Sequence, residues 1–252
     1  MPELITGRNA VREMLRAGRS LNKILLAENA GGPVISEILA LARARQVPVQ
    51  RVPRFVLDKL AANHQGVIGE RAARDYVELE QLLALSRQGE RLPFLVMLDG
   101  VQDPQNLGAI MRSAEAAGAH GIILPRRRGV GLTPAVDRAS AGASAFLPVA
   151  RVTNLARCLE ELQGAGLWAI GADPRGETLV FAADFSLPLV LVLGGEGQGL
   201  SRLVREKCDF LVRLPMFGRV NSLNVSAAAA ILFYEVVRQR HLVPGKFSPE
   251  PK

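Results

Sequence analysis

Hydrophobic and polar positions along this 252-residue chain alternate between helical and strand periods, and the character of the alternation changes about a third of the way along. In the first third the runs are short. "NAVREMLRAG" places Val11, Met14 and Leu15 on one helical face and stops at Gly18. "NKILLAE" predicts a strand, "PVISEILALARARQ" a helix opened by Pro33, and "VPVQRV" another strand. "RFVLDKLAANHQGVIGE" predicts a short helix, a turn around Asn63 to Gly66 and a closing strand. Residues 1–75 thus read as a compact α/β unit of about half the usual domain size. Residues 76–91, "YVELEQLLALSRQGER", read as a helix with a charged end and are taken as a linker.

From residue 92 to 252 the alternation is stronger. Strand "PFLVMLDGV" leads to helix "NLGAIMRSAEAAGA", strand "HGIILP" and a helix within "TPAVDRASAGA". Strand "FLPVARV", helix "TNLARCLEELQGAG" and strands "LWAIGAD" and "LPLVLVLGG" follow. Helix "SRLVREK", strand "DFLVRLP" and a long alanine-rich helix complete the pattern, and "FSPEPK" is expected to fray. The strands are continuous apolar runs, as in a parallel sheet covered on both faces, so the fold class is α/β with a second, parallel-sheet domain.

Composition narrows the picture. Hydrophobic residues make up 48% of the chain, enough for a sizeable core. No run approaches the roughly 20 apolar residues of a membrane span, and "MPELITGRNAVREML" lacks a signal-peptide core. Two cysteines, Cys158 and Cys208, without CxxC spacing, fit a reduced cytoplasmic setting and show no metal site. His64, His120 and His241 are scattered, and turn or surface roles are expected for them.

The net charge is +7, carried by 26 arginines and only five lysines. Residues 1–75 hold 12 basic against 7 acidic residues, an excess of five, while 76–252 hold 19 against 17. The first third is therefore the candidate polyanion-binding part. Arg8, Arg12, Arg16 and Arg19 would make a basic face, or simply a solvated helix surface. "RRR", Arg126, Arg127 and Arg128, follows strand "GIILP" on the side where open α/β sheets bind ligands, and is the better phosphate-contact candidate.

Three loops after apolar strands have unusual composition. In "DGVQDPQNLGAIMRSAEAAG", Asp103-Pro104 makes a turn and Asn106 is placed to cap the helix carrying Arg112. "LGGEGQGLS" holds four glycines and one carboxylate, so backbone can approach a ligand closely. It fits neither the dinucleotide nor the P-loop fingerprint. "LPMFGRVNSLNVSAAAA" sets Asn221, Ser222, Leu223 and Asn224 between a strand and the last helix, more polar groups than a cap requires.

Together these loops resemble the three motifs of the SpoU/TrmH branch of the SPOUT methyltransferases. Asn106, Gly108, Arg112 and Ala114 match the first motif, and Gly194, Glu196, Gly197, Gly199 and Leu200 the second. Pro215, Met216, Ser222, Leu223, Asn224 and Ser226 match the third, and the likeness spans 92–240. "TGRNAV" and "HQGV" in the first unit resemble the ribosomal-protein-like RNA-binding domain of the subgroup that methylates a guanosine of large-subunit ribosomal RNA.

The resemblance implies a deep trefoil knot within about 190–240, a homodimer through the catalytic domain, and S-adenosylmethionine as methyl donor to a ribose 2′-hydroxyl of RNA. It implies a cofactor pocket from Ala172, Gly194, Gly195, Gly199, Leu214, Met216 and Leu223. It implies catalytic roles for Arg112, Asn106, Glu196, Ser222 and Asn224, and with the charge excess it assigns RNA selection to residues 1–75, Arg8 among them, beside the phosphate contacts expected of the 126–128 run. The resemblance gives Arg112 the role of base, aided by RNA phosphate; a guanidinium has donors and no acceptor and is a reluctant base, so gripping the phosphate and stabilising the developing oxyanion is the preferred role. Two rival readings remain at this point: a transfer-RNA 2′-O-methyltransferase of the same branch, and a non-catalytic RNA-binding assembly factor. A nucleotide-dependent oxidoreductase lacks its fingerprint.

Overall fold

The computed structural model describes residues 3–219 and 222–241. The chain divides into two compact units, one of residues 1–76 with 131–138 and one of 77–130 with 139–252. Asn221 and the terminal "FSPEPK" lie outside the described residues. No described helix is long and apolar enough to cross a membrane.

The small unit is a four-stranded sheet of order β1-β4-β2-β3, from β1 (Glu3–Thr6), β2 (Leu21–Ala27), β3 (Val49–Val52) and β4 (Val67–Arg71). β4 pairs antiparallel with both β1 and β2, and β2 pairs parallel with β3. Helices α1 (Arg8–Arg16) and α2 (Pro33–Ala44) pack over a core of Val11, Leu15, Ile24, Ile35 and Ile38. α3 (Arg54–Leu60) covers the other face through Leu57. β1 is absent from the hydropathy reading, because four residues of mixed polarity show no period.

In the large unit, seven strands run in the order β7-β6-β5-β10-β8-β11-β9. They are β5 (Phe94–Asp99), β6 (Gly121–Pro125), β7 (Val149–Val152), β8 (Trp168–Ala172), β9 (Thr178–Leu179), β10 (Leu189–Gly194) and β11 (Phe210–Arg213). Every pairing is parallel. Leu95 and Met97 of β5 join the core under α4 (Leu79–Ser86), α7 (Leu155–Gly164) and α8 (Arg202–Lys207). Phe94 points to the other face and meets Phe233 of α9 (Val225–His241) edge-on, 5.8 Å between ring centroids. Burial on both faces is why these strands read as unbroken apolar runs. α4, taken from the sequence as part of a linker, packs with Leu82 fully buried in this core.

α5 (Pro104–Ala116) packs beside α9. A Cβ on its Gly108 would lie 2.3 Å from Ala139 Cβ, so only glycine allows this approach. α9 is tied down at its C-terminal end. The Arg240 guanidinium donates to the carbonyls of Leu92 (2.9 Å), Pro93 (3.2 Å), Phe185 (2.9 Å) and Leu187. Burial lowers its pKa to about 10, still far above neutrality, so the anchor stays charged. The short α6 (Pro134–Ala139) completes the helices.

Candidate active site

β10 lies between β5 and β8, so the carboxyl ends of these three strands meet, with that of β11 beside β8. Such a crevice is where open parallel sheets bind ligands. The loop after β10 folds back on itself: Gly199 N–H donates to Gly195 O at 3.1 Å. A Cβ on Gly194 would stand 2.1 Å from the Gly199 carbonyl carbon, and one on Gly195 2.3 Å from Gly100 O. The glycines are required by backbone contact on both sides of the loop. Asp99 braces it, its carbonyl accepting from Gly195 N (2.7 Å) and its carboxylate from Ser201 N (2.7 Å).

Two cavities open here. The first, of about 500 Å³, is walled by apolar side chains such as Leu193, Val212 and Leu232 and by the glycines of the β10 loop. The second, of about 870 Å³, is polar and lined by Arg128, Arg175, Arg202 and Arg205 together with Asp99 and Asn106. Gly195, Glu196, Gly199 and Val225 line both.

At this shared wall three polar side chains meet. Asn106 Nδ2 donates to Glu196 Oε1 at 2.5 Å, across 90 residues of chain. Asn224 Nδ2 donates to the same oxygen (3.0 Å) and to Asn106 Oδ1 (3.0 Å). Asn224 Oδ1 in turn accepts from Ser226 N (2.9 Å) and Ser226 Oγ (2.6 Å), so Asn224 also caps α9. The cap of α5 is a correction to the sequence reading. Asp103 Oδ1 accepts from Gln105 N at 3.0 Å and Pro104 takes the first helical position, which leaves Asn106 inside the first turn. Proline's fixed φ favours that position, and the aspartate before it becomes the cap.

Ala172, Gly194, Gly195, Gly199, Leu214, Met216 and Leu223 all line the first cavity, as do Glu196, Ser222 and Asn224. Asn106 and Arg128 line the second. Arg112 is exposed on α5 and lines neither. Arg126 and Arg127 line neither cavity; Arg126 continues the strand pairing through its N–H to Val152 O (2.8 Å), and Arg127 is exposed. Arg8 lies in the small unit, its Nε donating to Gln65 O (3.0 Å) and Nη1 to Gly31 O (3.4 Å).

Asp173 escaped the sequence reading. Its side chain is fully buried, one residue beyond β8, and lines the first cavity. Arg175 Nε and Nη2 grip its two oxygens at 2.9 Å each, with Arg205 at 3.8 Å. The hydrogen bonds from Arg175 hold the Asp173 pKa below the usual carboxylate value. Its position at a strand's carboxyl end was the available signal. Cys158 and Cys208 are free, and burial pushes both thiols up to about 12, which leaves them un-ionised and inert.

Comparison with known proteins decides the family. The profile of the SpoU rRNA Methylase family matches residues 93–234, the greater part of the chain. The chain belongs to the SpoU methylase family. Residues 4–77 of this SpoU methylase match the RNA 2′-O ribose methyltransferase substrate-binding family. A Bacillus subtilis (strain 168) protein named as a TrmH family tRNA/rRNA methyltransferase is 47% identical over 96% of the chain and 97% of its own length. Among solved structures, the SpoU methyltransferase AviRb from Streptomyces viridochromogenes aligns with TM-score 0.61 and 28% identity, covering 95% of this chain and 90% of that one. An AdoMet-bound rRNA methyltransferase from Sinorhizobium meliloti aligns with TM-score 0.59 and 29% identity, covering 93% and 86%.

Proposed function

We propose that this SpoU methylase, an RNA 2′-O-ribose methyltransferase that uses S-adenosylmethionine, acts on a guanosine of large-subunit ribosomal RNA as a homodimer. The observation that carries the reading is the pair of cavities sharing one wall: an apolar, glycine-lined one beside a polar, arginine-lined one, with Asn106, Glu196 and Asn224 between them. The subgroup is supported by "TGRNAV" and "HQGV" in the substrate-binding unit.

The first cavity fits the cofactor. Its apolar walls suit a purine face, and the glycine loop leaves backbone N–H and C=O groups at the edge. Gly194, Leu214 and Leu223 would hold the adenine side, and Ala172 would close the pocket. S-adenosylmethionine supplies, when bound, an electrophilic methyl group on a sulfonium. The protein's task is then to align an acceptor oxygen and manage its proton. Glu196 Oε1 is occupied by the two asparagine amides, which leaves Oε2 to accept from the incoming 2′-hydroxyl. Ser222 stands at the same wall. Arg128 in the polar cavity, with Arg126 and Arg127 beside it in sequence, supplies phosphate contacts.

Arg112 takes part in this reading as a phosphate and oxyanion ligand delivered across a dimer. The face of α9 that carries exposed Ala227, Ile231 and Tyr234 at helical spacing supports a second copy there, and α5 packs beside α9. The trefoil threading of 190–240 belongs to the same reading. Arg112→Lys keeps the charge but loses the planar fork, so turnover falls steeply while cofactor affinity measured by calorimetry is preserved.

The function is tested by incubating purified protein and S-adenosylmethionine with in vitro transcripts of large-subunit ribosomal RNA and with bulk transfer RNA, then mapping 2′-O-methyl groups. A single guanosine in the ribosomal transcript is expected. Methylation confined to transfer RNA would move the assignment to the second substrate, which the name of the Bacillus subtilis relative also covers.

A further inference from the structure

In the small unit, most arginines of the basic first helix are spent. Arg16 Nη2 pairs with Glu37 at 2.5 Å and Nη1 with Glu13 at 3.3 Å; Arg12 reaches the same two carboxylates at 3.7 Å and 3.2 Å. Arg8 is committed to backbone carbonyls. Lys23 pairs with Glu70, and Arg71 with Glu3. A face neutralised in this way attracts a polyanion weakly, whatever its sequence suggests.

Another group of cations lies on α3. Arg54 and Lys59 both lie on this helix, and neither has an ion pair among the described residues, while the neighbouring Arg51 donates through Nη1 to Glu28 O at 3.0 Å. Between them stands Phe55, the single phenylalanine of residues 1–76, with 58% of its surface exposed. Lys59 Nζ lies 5.5 Å from the centre of its ring. An exposed ring flanked by cations has the composition of a base-stacking surface.

The turn that follows α3 is fastened to that helix. Asp58 Oδ1 accepts from Nε2 of the buried His64 at 2.8 Å, and His64 Nδ1 accepts from Gly66 N at 3.0 Å. The clamp holds Asn63 at φ 56° and Gln65 at φ 51°, both left-handed, both exposed and neither glycine. Such strain persists where the surroundings over-determine it and is concentrated at functional surfaces.

We propose that Phe55 is a stacking platform for an unpaired base of the RNA substrate, with Arg54 and Lys59 holding the phosphates on either side. Single-stranded RNA is recognised in this way, by an aromatic face within a track of cations. A paired helix buries its base faces and offers the ring nothing, so the platform selects loops, bulges or ends. This rests on the RNA-methyltransferase reading above and names where in the substrate-binding unit the RNA is read.

The test uses the full chain and two probes, a labelled single-stranded oligoribonucleotide of mixed sequence and its fully paired duplex, followed by anisotropy between 50 and 200 mM salt. Phe55→Ala is expected to weaken binding to the single strand about tenfold and to leave duplex affinity within twofold. Phe55→Tyr is expected to retain the single-strand preference. Arg54→Gln and Lys59→Gln should each flatten the slope of log affinity against log salt by about 0.7, whereas Arg12→Gln, in a neutralised cluster, leaves it unchanged. Cofactor affinity and thermal midpoint of the Phe55 variants should match wild type, because Phe55 is a surface side chain. Equal binding of single strand by Phe55→Ala and wild type overturns the platform, as does an Arg12→Gln effect as large as that of Arg54→Gln. A wild type that binds S-adenosylmethionine yet neither binds nor methylates ribosomal or transfer RNA removes the parent reading, and the platform with it.

Discussion

Two helices of the large unit begin beside the same carboxylate, and they are capped in different ways. At α5 the duties are divided. Asp103 accepts the first-turn N–H of Gln105, and Asn106, three residues further on, is free to reach Glu196. At α9 one side chain does both, Asn224 accepting from Ser226 through its oxygen and donating to Asn106 and Glu196 through its nitrogen. A polar residue at a helix start is thus not assigned to cap or site by its type. What decides is whether a neighbour has already satisfied the first-turn N–H groups.

The comparison makes Asn224→Ala the most damaging change. It removes a cap, for about 1 kcal/mol or more of stability, and one corner of the junction, for about a hundredfold in turnover. Thermal unfolding and steady-state methyl transfer read the two losses separately; a stability loss with full turnover would show that the junction takes no part in the chemistry. Asn224→Asp sharpens the point, because the carboxylate still accepts from Ser226 while the donor is replaced by a charge against Glu196. Most of the stability should return, with turnover still down about tenfold or more. Asp103→Ala removes a cap that has no second duty. A loss of about 1 kcal/mol in urea unfolding is expected, with a smaller fall in turnover than in either Asn224 variant.

The smallest effect lies further along α9. Glu235 is buried, and hydrogen bonds from the Arg238 side chain, then Gln239, hold its pKa below the ordinary 4.5. A carboxyl group depressed in the folded state contributes stability above its unfolded pKa and loses it as pH falls through the folded value. The contribution is therefore present above pH 4.5 and fades below it. Glu235→Gln should flatten the acid limb of the unfolding midpoint measured between roughly pH 6 and 3; an unchanged limb would show that another group governs it.

The order of helices and parallel strands was legible, because an apolar run or a helical period is a property of neighbouring residues. Four-residue β1 and two-residue β9 were not, since neither is long enough to show a period. Asn106 was misread as a cap because "DPQN" offers two residues with capping chemistry; Pro104 was the clue that the first of them would serve. The stretch from Leu214 to Asn224 stood out by its surplus of polar groups, and Leu214, Met216, Ser222, Leu223 and Asn224 line one cavity. Asp173 gave only its place after a strand as a warning, for its arginine partners Arg175 and Arg205 are found by the fold.

By itself the sequence determined an α/β chain whose larger unit has buried parallel strands with glycine- and asparagine-rich loops after them, because hydropathy period and turn chemistry are local. Only the tertiary structure decided that Asn106 meets Asn224 across 118 residues, that Glu37 quenches the arginines of α1, and that Arg112 lines neither cavity of its own chain. The physical reason is that a charge or an amide acts through its partners, and partners are supplied by elements far away in the chain.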